Sequence, residues 1–172
     1  MRLGSRRFGF GARTGTKLPG EAAGIVTSAK SWNKYTHTSV SFGHEISVTP
    51  VQMVRAYCAL VRTGEQAGTM PTLRMTMPHE ASPADTIVER IIDPEAARQA
   101  RLAMRDVGVK VVQRLDDESP SGGWRYPMLG KSGSAEIPLG SPPDGFRRPR
   151  GARGYFEDQY NSSFVAAGPG GV

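Results

Sequence analysis

The chain has 172 residues, enough for one domain with a hydrophobic core and too few for two domains of ordinary size. Its 21 glycines and 13 prolines, beside 38% hydrophobic residues, predict a globular fold with a large share of loops. The net charge of +6 favours anionic partners only weakly, and the single cysteine, Cys58, excludes an internal disulfide and a cysteine metal cluster. No apolar run reaches the roughly 20 residues of a membrane span, and the N-terminus lacks the apolar core of a signal peptide.

The N-terminal third of the chain predicts irregular structure that leads into a helix. Residues 8–48 contain many turn formers and no sustained period of 2 or 3.6, which indicates loops. A capping box between Thr49 and Gln52, with Pro50 at the first helical position, then predicts a helix start, and Gly64 predicts its end. The apolar residues at helical spacing in between are Val51, Val54, Cys58 and Val61.

A second helix is predicted in the middle of the chain. Asp93 and Pro94 repeat the helix-start pattern, and an apolar stripe continues the helix to about Gln113 despite Gly108. Residues 116–123 are then typical of a solvated turn. The stripe consists of Ala97, Ala100, Met104, Val107 and Val111.

Residues 128–137 and 161–168 predict two strands, which we expect to pair in antiparallel fashion. The first strand interrupts its apolar run with a lysine, two serines and a glycine. Side chains alternate along a strand, so Ser132 and Ser134 share one face while Lys131 and the glycine at 133 share the other. A glycine inside a strand often marks the close approach of a ligand or another backbone. Two hydroxyls beside a fixed positive charge are suited to bind a carboxylate, and the simpler alternative is an edge strand with a snorkelling lysine.

Lys131-Ser-Gly-Ser134 resembles the lysine-serine/threonine-glycine strand of penicillin-binding proteins and serine β-lactamases. Together with other segments in the same order, it is similar to the C-terminal part of the transpeptidase domain of a class B penicillin-binding protein. The resemblance implies an α+β fold over residues 1–172, with an antiparallel sheet packed by helices and incomplete at both ends. The other segments are Phe8-Gly-Phe-Gly11, Thr14-Gly15, Leu18-Pro-Gly-Glu21, Trp32, Ser41-Phe-Gly43, Ser47-Val-Thr-Pro-Val-Gln52, Arg55-Ala-Tyr57, Ala103-Met104 and Asn161-Ser-Ser-Phe-Val165.

The resemblance implies acyl transfer in cell wall synthesis, without a metal or other cofactor. In this family a serine attacks the D-alanyl-D-alanine bond of a peptidoglycan stem peptide, and the resulting acyl-enzyme is passed to an amine of a neighbouring strand. β-Lactams are attacked by the same serine. We expect the elements S-x-x-K and S-x-N to lie outside this chain, so that the chain alone is inactive. The implied parent works with the cell wall synthesis machinery, with an upstream anchor in the cytoplasmic membrane and its catalytic domain on the outer, periplasmic side.

Carried over to this sequence, the resemblance assigns catalytic roles to Lys131 and Ser134. Lys131 would supply positive potential, and the backbone N–H of Ser134 would be one of two oxyanion donors. The same resemblance makes Ser132, Gly133 and Ser134 the residues that bind the substrate or the β-lactam, through the two hydroxyls and an approachable backbone. Family members more often have threonine at both serine positions, a departure that keeps the two hydroxyls.

One short motif competes with this assignment. Ser31 and Lys34 match S-x-x-K by letter, and Ser31 with Asn33 also matches S-x-N, yet one serine cannot fill both roles. Nucleophilic activation requires a rigid helix start with the lysine one turn later, whereas residues 28–41 have no helical stripe. We therefore expect Ser31 to lie in a loop and not to act as a nucleophile.

Other polar residues favour structural roles. His37, His44 and His79 lack the spacing of metal ligands, and Cys58 lies on an apolar helix face, where it is expected in the core. The arginines at 147–153 favour a solvated loop over nucleic-acid binding, because no aromatic stacking platform accompanies them. The alternative functions are a β-lactamase-like serine hydrolase fragment and an inactive interaction module with a basic loop.

Overall fold

The computed structural model describes residues 2–16, 19–28, 30–72, 89–119, 126–140 and 154–168. The chain divides into two compact units, Met1–Lys131 with Val165–Val172, and Ser132–Phe164. Within the described ranges no helix is both long enough and apolar enough to cross a membrane. The elements are α1 (Arg2–Arg7), β1 (Ile25–Val26), α2 (Lys34–Ser41), β2 (Ile46–Ser47), α3 (Pro50–Val61), a 3-10 turn (Gly64–Gln66), β3 (Thr69–Met70), β4 (Glu89–Arg90), α4 (Pro94–Glu118), β5 (Leu129–Pro138) and β6 (Tyr155–Ala167).

Helix α3 begins where its capping signal predicts. The Thr49 hydroxyl accepts the Gln52 N–H at 3.2 Å, and the Gln52 side-chain oxygen accepts the Thr49 N–H at 2.9 Å. Cys58 and Val61 are buried, which confirms that part of the predicted stripe. The prediction is wrong for Val54, which is 55% exposed, because Gln52 occupies the buried side at that level of the helix.

The Gln52 side chain also connects α3 to the glycine-rich loops that precede it. Its exposed fraction is 1%, and its amide nitrogen donates to the carbonyl oxygens of Ala12 at 2.7 Å and Ala23 at 2.8 Å. The amide oxygen and the amide nitrogen of this buried side chain therefore both have hydrogen-bond partners within the fold. The loops are anchored to the helix start by one side chain.

Helix α4 confirms its predicted start but extends past its predicted end. The Asp93 carboxylate accepts the Glu95 N–H at 2.8 Å, with Pro94 at the first helical position. The predicted apolar stripe is buried at Ala97 and Met104 and half-buried at its other positions. The predicted end at Gln113 and the predicted turn at residues 116–118 are wrong. This last stretch of α4 is solvent-exposed, so it has no apolar stripe to indicate a helix.

Helices α3 and α4 pack together in the larger unit. Tyr57, Val61 and Met104 form one buried cluster, joined by partly buried Leu129 and other apolar side chains. Gly108 of α4 lies directly against the backbone at Met128. A Cβ atom at position 108 would lie 1.8 Å from the Met128 carbonyl oxygen, so only a glycine fits there. A glycine in a helix costs about 1 kcal/mol relative to alanine. Here it lets α4 pack directly on the backbone that enters β5.

Residues 8–48 are mostly loop, as predicted, but they also contain helix α2 and the short strands β1 and β2, which were not predicted. Helix α2 is capped by Asn33, whose side chain accepts the N–H groups of Tyr35 at 2.8 Å and Thr36 at 3.0 Å. Thr36 is the only residue that α2 buries. A helix with so little buried surface has no apolar period for sequence analysis to detect. Helix α1 and the two-residue strands β1 and β2, which pair antiparallel, escape detection because they are so short.

Strands β5 and β6 are hydrogen-bonded neighbours, as predicted. Leu139 donates its N–H to the Gly154 carbonyl at 2.9 Å, and Gly133 lies against Ser163, so the two strands run antiparallel. The bounds of β5 differ from the prediction by one residue. Strand β6 begins at Tyr155 and not near residue 161, because its first residues are mostly exposed on both faces and lack the alternation that indicates a strand.

Candidate active site

The four predicted site residues lie together near the middle of β5. Lys131, Ser132, Gly133 and Ser134 are all exposed. Gly133 is not among the glycines with positive φ, so the strand passes through the motif without a bulge of that kind. Strand alternation therefore places the side chains of Ser132 and Ser134 on one face, while that of Lys131 lies on the other.

A serine on β6 stands directly against the motif. A Cβ atom on Gly133 would lie 2.9 Å from Ser163 Oγ, and the same hydroxyl donates to the Gly133 carbonyl oxygen at 3.5 Å. Gly133 was expected to mark the close approach of a ligand or another backbone, whereas the group that approaches it in the structure is this side chain. Sequence analysis did not single out Ser163. The sequence indicated only that Ser163 lies in the predicted second strand. It could not indicate which serine of that strand approaches Gly133, because this depends on the register of the two strands.

The motif presents one backbone donor at the edge of the sheet. The carbonyl of Gly133 and the N–H of Ser134 belong to one peptide group, and the described residues contain no cis peptide bond. The carbonyl faces Ser163 on β6, so the Ser134 N–H points the opposite way. That edge of β5 has no strand neighbour in the part of the chain that the structure describes. A donor in this position is suited to bind an oxygen of a ligand laid along the edge.

This arrangement combines three kinds of group that bind anionic oxygen atoms. Lys131 is a cation, Ser132 and Ser134 carry hydroxyls that can donate, and the Ser134 N–H points to the sheet edge. Hydrogen bonds in which one partner is charged are shorter and stronger than neutral ones. The strand is therefore chemically suited to a carboxylate and to an oxygen on which negative charge develops.

The competing motif at Ser31 lacks the geometry of an activated serine. Lys34 is the first residue of α2, Asn33 is its N-cap, and Ser31 precedes the cap in a turn. Ser31 Oγ lies 3.0 Å from the hydroxyl of Ser28. Ser31 and Lys34 thus do not share a helix turn, and Ser31 lies outside a helix, as predicted. Helix α2, which begins at Lys34, was not predicted.

The pKa values of Glu21 and Cys58, which both lie outside the strand, are shifted by their local surroundings. Hydrogen bonds from Thr14, through its hydroxyl and its N–H at 2.6 Å, hold the pKa of Glu21 below its usual range and close the loop between them. Burial raises the pKa of the Cys58 thiol. A buried thiol with a raised pKa is a poor nucleophile, and Cys58 is confirmed as a core residue.

The remaining sequence candidates give no second site among the described residues. His37 is exposed and His44 is half-buried, whereas His79 and the arginines at 147–153 lie outside the described residues. No group of three histidine, cysteine, aspartate or glutamate side chains within the described ranges is placed to hold a metal ion.

Known sequences similar to this chain are named as penicillin-binding proteins and probable peptidoglycan D,D-transpeptidases. The sequence model of the family described as "Penicillin binding protein transpeptidase domain" matches residues 1–144. Penicillin-binding protein PbpB of Mycobacterium tuberculosis is 31% identical over 142 residues, which is 76% of this chain and 20% of that protein. The probable peptidoglycan D,D-transpeptidase PbpC of Pseudomonas aeruginosa is 27% identical over 168 residues, 95% of this chain and 25% of that protein. The chain thus spans a fifth to a quarter of the length of these relatives.

Solved structures of similar fold come from the same kind of protein. The transpeptidase domain of penicillin-binding protein 3 from Burkholderia pseudomallei superimposes with a TM-score of 0.69 and 26% identity, over 95% of this chain and 43% of that one. Penicillin-binding protein 3 from Mycobacterium tuberculosis, solved in complex with ampicillin, gives a TM-score of 0.66 and 28% identity, over 96% of this chain and 35% of that one.

Proposed function

This chain belongs to the penicillin-binding protein transpeptidase domain family, and we propose that it forms the substrate-binding strand and its supporting helices in a class B peptidoglycan D,D-transpeptidase. One observation carries the proposal: Lys131, Ser132, Gly133 and Ser134 lie on a regular edge strand whose Ser134 N–H points away from the neighbouring strand. Residues 1–172 would then be a portion of one transpeptidase domain.

In this proposal the strand binds the end of a peptidoglycan stem peptide or a β-lactam. The hydroxyls of Ser132 and Ser134 donate to the terminal carboxylate, and Lys131 adds positive potential. The Ser134 N–H donates to the carbonyl oxygen as it becomes an oxyanion. We further propose that the parent works at the outer side of the cytoplasmic membrane with the machinery of cell wall synthesis, a proposal that the family resemblance supports.

The chemical step is acyl transfer to a serine that the S-x-x-K element supplies. The serine oxygen attacks the peptide carbonyl carbon, the bond to the terminal D-alanine breaks, and that amine leaves with a proton. An amine of a second stem peptide then attacks the ester and releases the serine. With a β-lactam the ring C–N bond opens instead, and the acyl group remains on the serine. Lys131 and Ser134 would act in both reactions by stabilising negative charge.

The test uses a reconstituted domain, in which this chain follows the upstream segment of the Burkholderia pseudomallei transpeptidase domain. We expect a fluorescent penicillin to acylate it, and Lys131→Ala to slow acylation at least about 10²-fold, the order found when one charge-stabilising group is lost. Ser132→Ala should lose about tenfold to 10²-fold, as for one hydrogen bond to a charged group. Lys110→Ala, which removes an exposed lysine from α4, is the matched control and should react at the parent rate. Unchanged acylation of Lys131→Ala would contradict the proposed role.

A second experiment uses the 172-residue chain itself. We expect mass spectrometry to find no covalent penicillin adduct, because Ser31 is not on a helix turn with Lys34. An adduct on Ser31 would contradict the interpretation of that motif.

A further inference from the structure

We propose that Ser163 is a positioning residue for the oxyanion donor, acting through the peptide group that joins Gly133 to Ser134. The inference rests on the proposed function, in which the Ser134 N–H binds the oxyanion. It adds a residue on the neighbouring strand that neither the motif nor its spacing indicates.

The first argument is steric. A Cβ atom on Gly133 would lie 2.9 Å from Ser163 Oγ, closer than real side chains approach. The hydroxyl therefore occupies the space that a side chain at position 133 would take. Both residues are exposed, so the contact is set by the pairing of β5 with β6 and not by core packing.

The second argument concerns the peptide group itself. Ser163 Oγ lies 3.5 Å from the Gly133 carbonyl oxygen, at the long end of hydrogen-bond distances, so its hydroxyl is placed to donate to that carbonyl. The N–H at the other end of the same plane is that of Ser134. A hydrogen bond to the carbonyl polarises the amide and strengthens its N–H as a donor. The hydroxyl thus orients the donor and increases its strength without touching the ligand.

The third argument is which face of the sheet Ser163 occupies. Its hydroxyl meets the Cβ direction of Gly133, and strand alternation places that direction opposite the side chains of Ser132 and Ser134. Ser163 is therefore not a third hydroxyl for the carboxylate. Its effect on the reaction passes through the backbone, and it should change the acylation rate constant more than the affinity for the drug.

Nuclear magnetic resonance of the 172-residue chain tests the contact without any reaction. Ser163→Ala should shift the Gly133 carbonyl carbon and the Ser134 amide nitrogen and proton, and Ser163→Thr, which keeps the hydroxyl, should restore most of the shift. Ser162→Ala is the matched control, because alternation places this neighbour on the other face of β6. Unmoved resonances in Ser163→Ala, or equal movement in Ser162→Ala, would overturn the proposal.

The reconstituted domain separates this proposal from the proposed function. Ser163→Ala should lower the acylation rate constant about threefold to tenfold, the range of one modest hydrogen bond, with the drug dissociation constant changed less than about twofold. Lys110→Ala, the exposed α4 variant, should match the parent. A parent domain that penicillin does not acylate refutes the proposed function. An acylated parent whose Ser163→Ala variant reacts at full rate refutes the role of Ser163 alone.

Discussion

The two units of the molecule hold their residues in place by different means. The larger unit buries side chains between α3 and α4, with Ala59 and Ala97 fully buried, and its helices start at side-chain caps. In Ser132–Phe164, by contrast, every described residue is exposed or half-buried, and pairing of β5 with β6 sets the geometry. Stability in the first unit depends on packing, whereas the second can present polar side chains to a ligand at little cost to the fold.

The sharpest test of this contrast is Gly108→Val in α4. Its Cβ atom would lie 1.8 Å from the carbonyl oxygen of Met128, a backbone atom that cannot rotate away. We expect the free energy of unfolding to fall by about 3–5 kcal/mol. Gly4→Ala is the control, since nothing lies within 4 Å of its Cβ position, and it should change stability by less than about 1 kcal/mol. Urea denaturation measures the stability of both variants, and equal losses would contradict the importance of the Gly108 contact for packing in the larger unit.

Gln52→Glu tests the buried hydrogen bonds of the larger unit. The substitution removes the amide donor to the carbonyls of Ala12 and Ala23 and places a carboxylate against them. At pH 7 we expect a loss of about 2–4 kcal/mol, because buried acceptors lose their partner and face a like charge. Gln113→Glu, at an exposed position of α4, should have little effect. Comparable thermal denaturation curves for the two variants would contradict this explanation.

Tyr57→Phe should stabilise the larger unit by about 1 kcal/mol. The Tyr57 hydroxyl is buried and has no hydrogen-bond partner among the described residues, and such a group costs free energy. Burial also raises the pKa of Tyr57 above the ordinary tyrosine value of about 10. Below that pH the phenol is neutral in both states. Above it the unfolded chain loses the proton first, so the free energy of unfolding should fall as pH rises towards the folded pKa.

The control for Tyr57→Phe is Tyr160→Phe, which removes a hydroxyl from an exposed ring on β6. Denaturation curves between neutral pH and pH values above about 10 should show a smaller alkaline loss for Tyr57→Phe alone. Lower stability of Tyr57→Phe at neutral pH would show that the hydroxyl has a favourable contact.

Gly133→Ala should have the smallest effect on stability, within about 1 kcal/mol. The contacted atom is Ser163 Oγ, at the end of a side chain that can change rotamer. The same glycine-to-alanine change at position 108 meets backbone and should cost far more. Similar thermal shifts at the two glycines would remove the distinction between the units.

Local signals account for what the sequence predicted correctly. The starts of α3 and α4 follow from caps within a few residues, and β5 follows from the apolar residues on both sides of Lys131 to Ser134. Helix α2, the end of α4 and the first half of β6 were missed because their residues are mostly exposed, and exposed elements carry no apolar period.

The candidate site likewise contains residues that the sequence indicated and one residue that it did not. Lys131 to Ser134 could be found because the four residues are adjacent in the sequence. Ser163 could not, because it lies 30 residues from Gly133 and only the register of β5 with β6 brings the two together. Contacts set by register cannot be predicted from a single strand.

The buried amide of Gln52 also bears on the order in which the chain is made. Its two carbonyl partners precede it by 40 and 29 residues, so both leave the ribosome before the side chain that binds them. At about 5–20 residues per second, the glycine-rich loops remain without this anchor for seconds during synthesis. Their final arrangement must therefore wait for α3 to emerge and form.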